Sequence, residues 1–549
     1  MTSSSSIGGD SATLPERLAA SPRPSATVTV VDRRGRRESR SHRELLHAAR
    51  CTAGSLQDHG YGVGARVAVV LRPQLDAITA LLGIWFAGAA AVLLPPPSPF
   101  ESRERWRARC HDLLTTVGAD ALVRTGTSPL LSGMRALEFE ELRRGVPGNA
   151  PAIGPDHTAV VTTTSGSTAT PRVLLRSHLS YVVSIDGHAQ TLGLDPQRDR
   201  FLGWSALHRR ALLTDLLSPL AAGIDTILLS PDAFAARPLR WLDELSSEGA
   251  TVSAAPNFAY RLAARQLVER RAPELDLSRW RIAISSGEPV EAATVRSFAA
   301  AAEPFGFDPR ALVAAYGCSE VGGVARTPIG TGVRIDRLDR EALAAGKVAP
   351  VDPTDDTVAV EIVSCGRILP RAEVRITDAS GEDLDDRYVG EVTVRRSGQV
   401  ERYANPDGGG EDRFRDGWFH TGDFGYLDDG ELFVTGRRDD VIILNGNNVA
   451  ASHVEELAAH ALGAADGQVA AMGITTAGTQ RLVLYAEVAA PDDGMPERIR
   501  EAVVRGTGHT PDEINLHEPG WLPRTDEGKV QRSRLRELDA MARSSPSSE

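Results

Sequence analysis

Short apolar runs of strand length alternate with segments of helical periodicity along the first 330 residues, and this alternation narrows the fold more than any other feature. Residues 67–71 (Val-Ala-Val-Val-Leu) and 90–94 bracket an apolar helical segment at 75–88, and Leu45, Leu46, Ala49, Ala53 and Leu56 keep helical spacing ahead of them. Further strand-type runs at 226–230, 251–254 and 281–285 are interleaved with helical segments near 181–192 and 240–247. Strand–helix–strand at this spacing predicts an α/β fold, with parallel-type sheets covered by helices on their faces. From about residue 360 the texture changes. Short runs at 374–377, 389–394 and 431–434 are separated by turns, which predicts a smaller β-rich subdomain over about 360–438. Past residue 440 the pattern is α+β: a strand at 441–444, a helix at 452–462 and strands at 468–474 and 482–488. The expected organisation is a tail and lead-in at 1–40, a large N-terminal domain at 41–438, a small α+β C-terminal domain at 439–540 and a disordered tail at 541–549.

A chain of 549 residues is too long for one core, in keeping with that division. Lys and Arg number 61 against 73 Asp and Glu, a net charge of −12, and no basic stripe forms, which argues against a nucleic-acid surface. Cys51, Cys110, Cys318 and Cys365 lie far apart with no CxxC pair, so a reducing, cytoplasmic setting is expected rather than a disulfide or zinc framework. Residues 1–13 lack the basic and apolar regions of a signal peptide. The most apolar stretch, 77–94, is broken by Gly83 and Gly88 and ends in Pro95-Pro96-Pro97, so it reads as a buried helix and strand, not a membrane span.

The first candidate for chemistry follows the apolar run at 159–161. Thr162-Thr163-Thr164-Ser165-Gly166-Ser167-Thr168-Ala169-Thr170-Pro171-Arg172 joins hydroxyls, a glycine and a cation. A strand opening into such a loop offers N–H groups and hydroxyls to an anion of phosphate size. It lacks the Gly-Lys-Ser/Thr of a Walker A loop, and taken alone it could be a Ser/Thr-rich surface linker. Glycine stands with polar residues at four further places: Ser286-Gly287-Glu288-Pro289, Tyr316-Gly317-Cys318-Ser319-Glu320, Thr421-Gly422-Asp423, and Gly528-Lys529. Ligands of parallel sheets gather outside the carboxyl ends of strands, so several such ends together would supply a nucleotide site. Gly317-Cys318-Ser319-Glu320-Val321 misses a nucleophile elbow by its last residue, and Gly60-Tyr61-Gly62-Val63-Gly64 precedes its strand, unlike a dinucleotide fingerprint.

With Gly436-Arg437, these motifs occur in the order of the adenylate-forming enzymes, and the resemblance spans about residues 41–538. That superfamily includes acyl-CoA synthetases, peptide-synthetase adenylation domains and luciferases. Segments at 230–234, 237–241, 255–260, 277–280, 287–290 and 339–366 resemble the fatty acyl-AMP ligase branch in particular. The resemblance implies ATP-dependent activation of a carboxylic acid to acyl-AMP with release of pyrophosphate. The acyl group then passes to the phosphopantetheine thiol of an acyl carrier protein, in natural-product or lipid biosynthesis.

The implied roles follow by position. Thr164, Ser165, Gly166, Ser167, Thr168 and Arg172 would hold the β- and γ-phosphates, and Glu320 would help place Mg²⁺. Gly287, Glu288 and Pro289 would form one wall of an adenine slot, with Tyr316, Gly317 and Ser319 opposite. Asp423 would accept from the ribose hydroxyls with Arg437 assisting, Lys529 would stabilise charge at the α-phosphate, His208 joins Lys529 and Glu320 as a catalytic candidate, and Asp439 marks the hinge of a mobile C-terminal lid. Outside this constellation Asp423 and Glu320 would read as turn or capping residues, and Lys529 as a solvated tail lysine.

The match has departures. Ala169 and Val173 stand where the family has glycine, and Arg172 where it has lysine, a planar fork in place of a point charge. Asn447-Asn448-Val449 lacks the Tyr-Pro that usually precedes the next helix. Most notably, His208 is followed by Arg209 and Arg210 in the segment that borders the acyl site, where the branch carries His-Asp-Met-Gly. Buried arginines there would be costly without an anion, whereas solvent-facing ones would not. Three readings stay open: a ligase loading a carrier protein; the same chemistry on a small polar acid or other small oxyanion held by His208, Arg209 and Arg210, or on CoA as acceptor; and a non-catalytic scaffold.

Overall fold

A computed structural model of the protein describes residues 12–97, 102–126, 131, 133–163, 172–269, 274–351, 359–400, 402–405, 413–437, 441–444, 447–463, 468–476, 479–524 and 530–544. The helical segment expected at 75–88 is the helix Leu75–Ala87, apolar on all sides and closed by Gly88 in the left-handed conformation (φ 89°). A helix without a polar face must be covered all round. It packs between the strands Arg66–Val70 and Ala90–Leu94 and the helix His42–Asp58, and Trp85 donates from Nε1 to the carbonyl of Ala159 at 2.7 Å. That bond ties the buried helix to the strand Thr158–Thr163, the lead-in to the Ser/Thr-rich loop.

The expected α/β fold with parallel-type sheets is built on two sheets. The smaller has six strands in the order Ala136–Glu138, Ala121–Arg124, Arg66–Val70, Ala90–Leu94, Thr158–Thr163, Val173–Ser177, and every neighbouring pair is parallel except the last. The larger has fifteen strands among the described residues. Its parallel half runs Thr27–Val31, Asp225–Leu229, Arg200–Gly203, Val252–Ala255, Ile282–Ser286, Leu312–Cys318. An aromatic cluster, Trp241, Tyr260, Trp280, Phe298 and Phe307, fills the layer beside it in edge-on and stacked contacts. Burying each such ring contributes about 1.5–3 kcal/mol, and the polar ends are bonded: Tyr260 donates to the carbonyl of Ile284 at 3.0 Å and Trp241 to Ser253 at 2.9 Å.

The β-rich region at 360–438 pairs onto the large sheet. The chain reverses from Leu312–Cys318 into Gly322–Arg326, whose free edge is paired by Ala359–Ile368, and Glu431–Arg437, Trp418–Asp428, Gly390–Arg396 and Ala372–Thr377 follow in antiparallel order. An open edge of backbone donors and acceptors is what these strands satisfy, while Val321, Val324, Val392, Phe419 and Leu432 give them a local core. The segment 1–40 is likewise more than a lead-in. Leu14 and Leu18 of the helix Leu14–Ala19 are fully buried, and Thr27–Val31 enters the large sheet because its apolar residues meet Asp225–Leu229 in parallel register. At the other end the helix Arg532–Ser544 occupies part of the expected tail, and 545–549 lie outside the described residues.

The C-terminal region has a three-stranded sheet, Val469–Thr476, Thr479–Glu487 and Glu513–His517, with the helices Ala451–Leu462, Met495–Thr507 and Arg532–Ser544. Ile442, Val454, Leu484, Ile499 and Val503 belong to a core made only of residues beyond 440. Arg340 of the large region donates to the carbonyl of Gly506. The expected boundary at 438–440, with Asp439, lies outside the described residues.

Candidate active site

The ends of two neighbouring strands, with residues that reach them, carry the predicted site. The strand Leu312–Cys318 ends in Tyr316, Gly317 and Cys318 at a bulge in its pairing with Gly322–Arg326. A side chain on Gly317 would strike the carbonyl of Gly322 at 2.3 Å, so the backbones approach as only glycine permits. Tyr316 donates its hydroxyl to Asp423 Oδ2, and burial followed by the charge of Asp423 raises the phenol well above its ordinary range. Asp423 is buried on Trp418–Asp428, its N–H donates to the Thr421 hydroxyl at 3.0 Å, and its Oδ1 accepts from Arg437 Nε at 2.8 Å. The largely exposed Arg437 thus closes a Tyr316–Asp423–Arg437 series across the register pair Asp423–Arg437. Each carboxylate oxygen keeps acceptor capacity for a further donor.

One turn later Glu320 is buried, and its Oε1 accepts from the Tyr403 hydroxyl at 2.8 Å. Arg172 donates from Nη1 to the same hydroxyl at 3.4 Å and lies over the Tyr403 ring at 4.9 Å. The chain just after Arg172 is pinned by Val173 N donating to Asn405 Oδ1 at 2.8 Å and by Ala404 N donating to the Val173 carbonyl at 2.9 Å. Burial raises the Cys318 thiol well above its usual range, and Glu320 and Asp423 both add to it, so the two carboxylates share one neighbourhood.

The second end is that of Ile282–Ser286. Gly287 follows with φ 94° and is exposed with Pro289, while Glu288 is half-buried and accepts from Phe258 N at 2.5 Å. Ser319 is exposed. Of the His208-Arg209-Arg210 segment, His208 is buried, Arg209 half-buried and Arg210 exposed. Arg210 donates to Ser286 Oγ at 2.7 Å and to its carbonyl at 3.3 Å, at the lip of the Gly287 turn. Thr164, Ser165, Gly166, Ser167, Thr168 and Lys529 lie outside the described residues. Among the described residues on either side of 525–529, Glu487 accepts from Leu522 N at 2.7 Å and pairs with Arg524 at 2.5 Å, and Arg524 bridges Val530 antiparallel.

Against known families, the model described as AMP-binding enzyme matches residues 16–404. The chain belongs to the AMP-binding enzyme family. It is 31% identical over 541 residues to the medium-chain-fatty-acid–[acyl-carrier-protein] ligase JamA of Moorena producens, covering 91% of this chain and 89% of that protein. Among solved structures, one from a study of fatty acyl-adenylate ligases of E. coli and L. pneumophila has a TM-score of 0.88 at 28% identity, over 97% of this chain and 99% of that one. A fatty acyl-adenylate ligase of L. pneumophila in complex with acyl adenylate and pyrophosphate has a TM-score of 0.73 at 26% identity, covering 96% of each chain.

Sequence reasoning missed several residues of this AMP-binding enzyme. Tyr403, which links Arg172 to Glu320, sits 83 positions beyond the carboxylate it serves, and no periodicity marks it. Asp215 lies in a π-helical turn, Leu212–Leu217, just past Arg210; its Oδ1 accepts from the Thr214 hydroxyl at 2.5 Å and it is fully enclosed. Burial pushes its carboxyl up to about 7, against the pull of Thr214 and Arg210. Arg176, Arg326 and Arg396, all buried, escaped notice because each sits near the end of a strand in an unremarkable context. Among the described residues no group of three or more His, Cys, Asp or Glu could hold a metal, the four cysteines are free, and no helix is long and apolar enough to cross a membrane.

Proposed function

We propose that this enzyme activates a carboxylic acid with ATP, forming acyl-AMP and pyrophosphate, and passes the acyl group to the phosphopantetheine thiol of an acyl carrier protein. The observation that carries the reading is the convergence of the Tyr316–Asp423–Arg437 and Arg172–Tyr403–Glu320 series around the end of the strand Leu312–Cys318 in a member of the AMP-binding family. A carboxylate is ionised at neutral pH, so the first step needs no general base; it needs alignment with the α-phosphorus and stabilisation of charge on the phosphate oxygens. Asp423, already oriented by two donors, accepts from the ribose hydroxyls through its remaining lone pairs. Tyr316 and the exposed Gly287–Pro289 turn flank the base, with Gly317 and Ser319 at its edge. Thr164 to Thr168 and Arg172 hold the outer phosphates, and Lys529 from the C-terminal region reaches the reacting centre, with Asp439 as the hinge of its movement.

Glu320 suits Mg²⁺, which binds through one or two carboxylates and the substrate's own phosphates rather than in an all-protein cage. Its buried carboxylate carries one hydroxyl donor, which leaves oxygen lone pairs for such an ion. When bound, the ion offsets charge on the pyrophosphate leaving group. The relatives support an acyl acid and a carrier protein: one is named for a medium-chain fatty acid and an acyl carrier protein, and a solved neighbour binds acyl adenylate with pyrophosphate. Four free cysteines suit a reducing, cytoplasmic setting. A second reading, a small polar or anionic acid, is favoured by Arg210, whose guanidinium stands exposed on Ser286 beside the base-binding turn.

Pyrophosphate exchange across acids from acetate to long fatty acids tests the proposal. Exchange is expected with at least one acid and a fall of about 10²–10³-fold in Lys529→Ala. No exchange with any acid overturns it, and full activity of Lys529→Ala removes that residue from the mechanism.

A further inference from the structure

Beneath the candidate site three arginines are buried together without a counter-charge. Arg176, Arg326 and Arg396 expose 8%, 6% and 5% of their surfaces. Each lies at the end of a different strand, Val173–Ser177, Gly322–Arg326 and Gly390–Arg396, and all three point at one face of the helix His178–Leu192. That face reads Ser180, Ser184, His188, Thr191, spaced four, four and three residues, the spacing of a single helical stripe. Arg176 donates to Ser180 Oγ at 2.7 Å, Arg396 to Ser184 Oγ at 2.9 Å and the Val321 carbonyl at 3.0 Å, and Arg326 to Thr191 Oγ1 at 2.7 Å.

Every acceptor is neutral. Hydroxyls and a carbonyl answer hydrogen bonds but not charge, and among the described residues no ion pair joins a carboxylate to any of the three. Arg326 Nε and Arg396 Nε are buried with no acceptor at all. A side chain added to Gly322 would lie 2.7 Å from Arg396 Nη1 and 3.5 Å from Arg176 Nη2, so these two guanidinia converge on one point. Burial, then the charges of Arg210 and Arg396, press Arg326 down to about 10, and burial with Arg176 and Arg371 does the same to Arg396. Burial and the charges of Arg326, Arg396 and Arg210 hold His188 well below its usual range, so it is the neutral member of the group. Uncompensated buried charge is among the costliest features a core can carry, and replacement by apolar residues would ordinarily be favoured.

We propose that Arg176, Arg326 and Arg396 form a buried receptor for a compact oxyanion such as carboxylate, phosphate or sulfonate, occupied by the far end of the acid being activated. Arg210 connects the two places: it is exposed at the Ser286–Gly287 lip, and its charge reaches both His188 and Arg326. An acid with a second anionic group would then lie with one end at the α-phosphate and the other among the arginines. This assignment of the occupant rests on the adenylation reading; the anion receptor itself does not.

Two measurements on the full chain test it. Pyrophosphate exchange is compared between α,ω-dicarboxylates and monocarboxylates of equal length. The diacid should be favoured about ten- to hundredfold in kcat/KM, the worth of one or two charge-assisted bonds, and the preference should shrink toward parity in Arg326→Gln and Arg396→Gln. Separately, the melting temperature is followed in inorganic phosphate against chloride at equal ionic strength, without ATP or acid. Phosphate should raise it in the wild type and fail to do so in the variants. Phosphate stabilisation without a diacid preference means a free anion occupies the receptor. Absence of both effects in the wild type overturns the proposal, and that comparison stands even if a variant does not fold. No exchange with any acid, alongside phosphate stabilisation, would overturn the adenylation reading alone.

Discussion

The hairpin Leu312–Cys318/Gly322–Arg326 separates two charged regions built on opposite terms. On its Tyr316–Glu320 side each buried carboxylate has its donors: Asp423 holds Tyr316 and Arg437, and Glu320 holds Tyr403. On its Arg326 side, buried guanidinia meet only hydroxyls and a carbonyl. Paired groups set a geometry before any ligand arrives, which suits a site that must orient a nucleotide. Unpaired ones store a cost that only a ligand of opposite charge removes, which suits selection of that ligand.

The contrast can be broken by experiment. The largest effect is expected on the paired side: Asp423→Ala should lower pyrophosphate exchange about a hundredfold, mainly through KM for ATP, because two oriented donors lose their anchor. Loss in kcat alone would remove Asp423 from ribose binding. Next comes Asp215, near Arg210 and raised to about 7 by burial. The native state keeps its proton where the unfolded chain has lost it, so this group erodes stability as pH rises from about 4 to about 7. Asp215→Asn should remove that slope and be ~2–4 kcal/mol more stable than wild type at pH 8, with no gain at pH 4, by urea unfolding. An unchanged slope would mean the carboxylate is paired.

A smaller pair of effects has opposite signs. Asp423→Ala should cost about 1–3 kcal/mol by leaving the Tyr316 hydroxyl buried without its acceptor. Arg326→Met should instead hold or raise stability by up to about 3 kcal/mol in ligand-free protein, since it removes an uncompensated charge. Destabilisation in both would erase the distinction between the regions. The smallest change, Arg172→Lys, keeps the charge but loses the planar contact with Tyr403, and should cost about 0.5–1 kcal/mol, a two- to fivefold rise in KM for ATP.

Much of this was legible in the chain. The helix Leu75–Ala87 and the strands around it follow from an apolar segment closed by Gly88, because local periodicity and a left-handed cap act over a few residues. Tyr316, Asp423 and Arg437 were legible as motif members, and the strand register brings them together. The antiparallel extension was not legible, since edge pairing between Gly322–Arg326 and Ala359–Ile368 depends on which edge is left open. Nor was Tyr403, whose partner lies 83 residues away.

The sequence by itself determined the alternation of helix and strand, the order of the nucleotide-binding motifs and the family, all properties of neighbours in the chain or of their order. Only the tertiary structure decided where the charges stand. Arg210 remained at the surface while Arg176, Arg326 and Arg396, from strands spread over 220 residues, were gathered against one helix face. Burial and long-range contact are collective, because a residue's solvent is set by whatever the rest of the chain places over it. An arginine in a sequence is a charge; whether that charge is neutralised, solvated or left waiting for an anion is settled by packing.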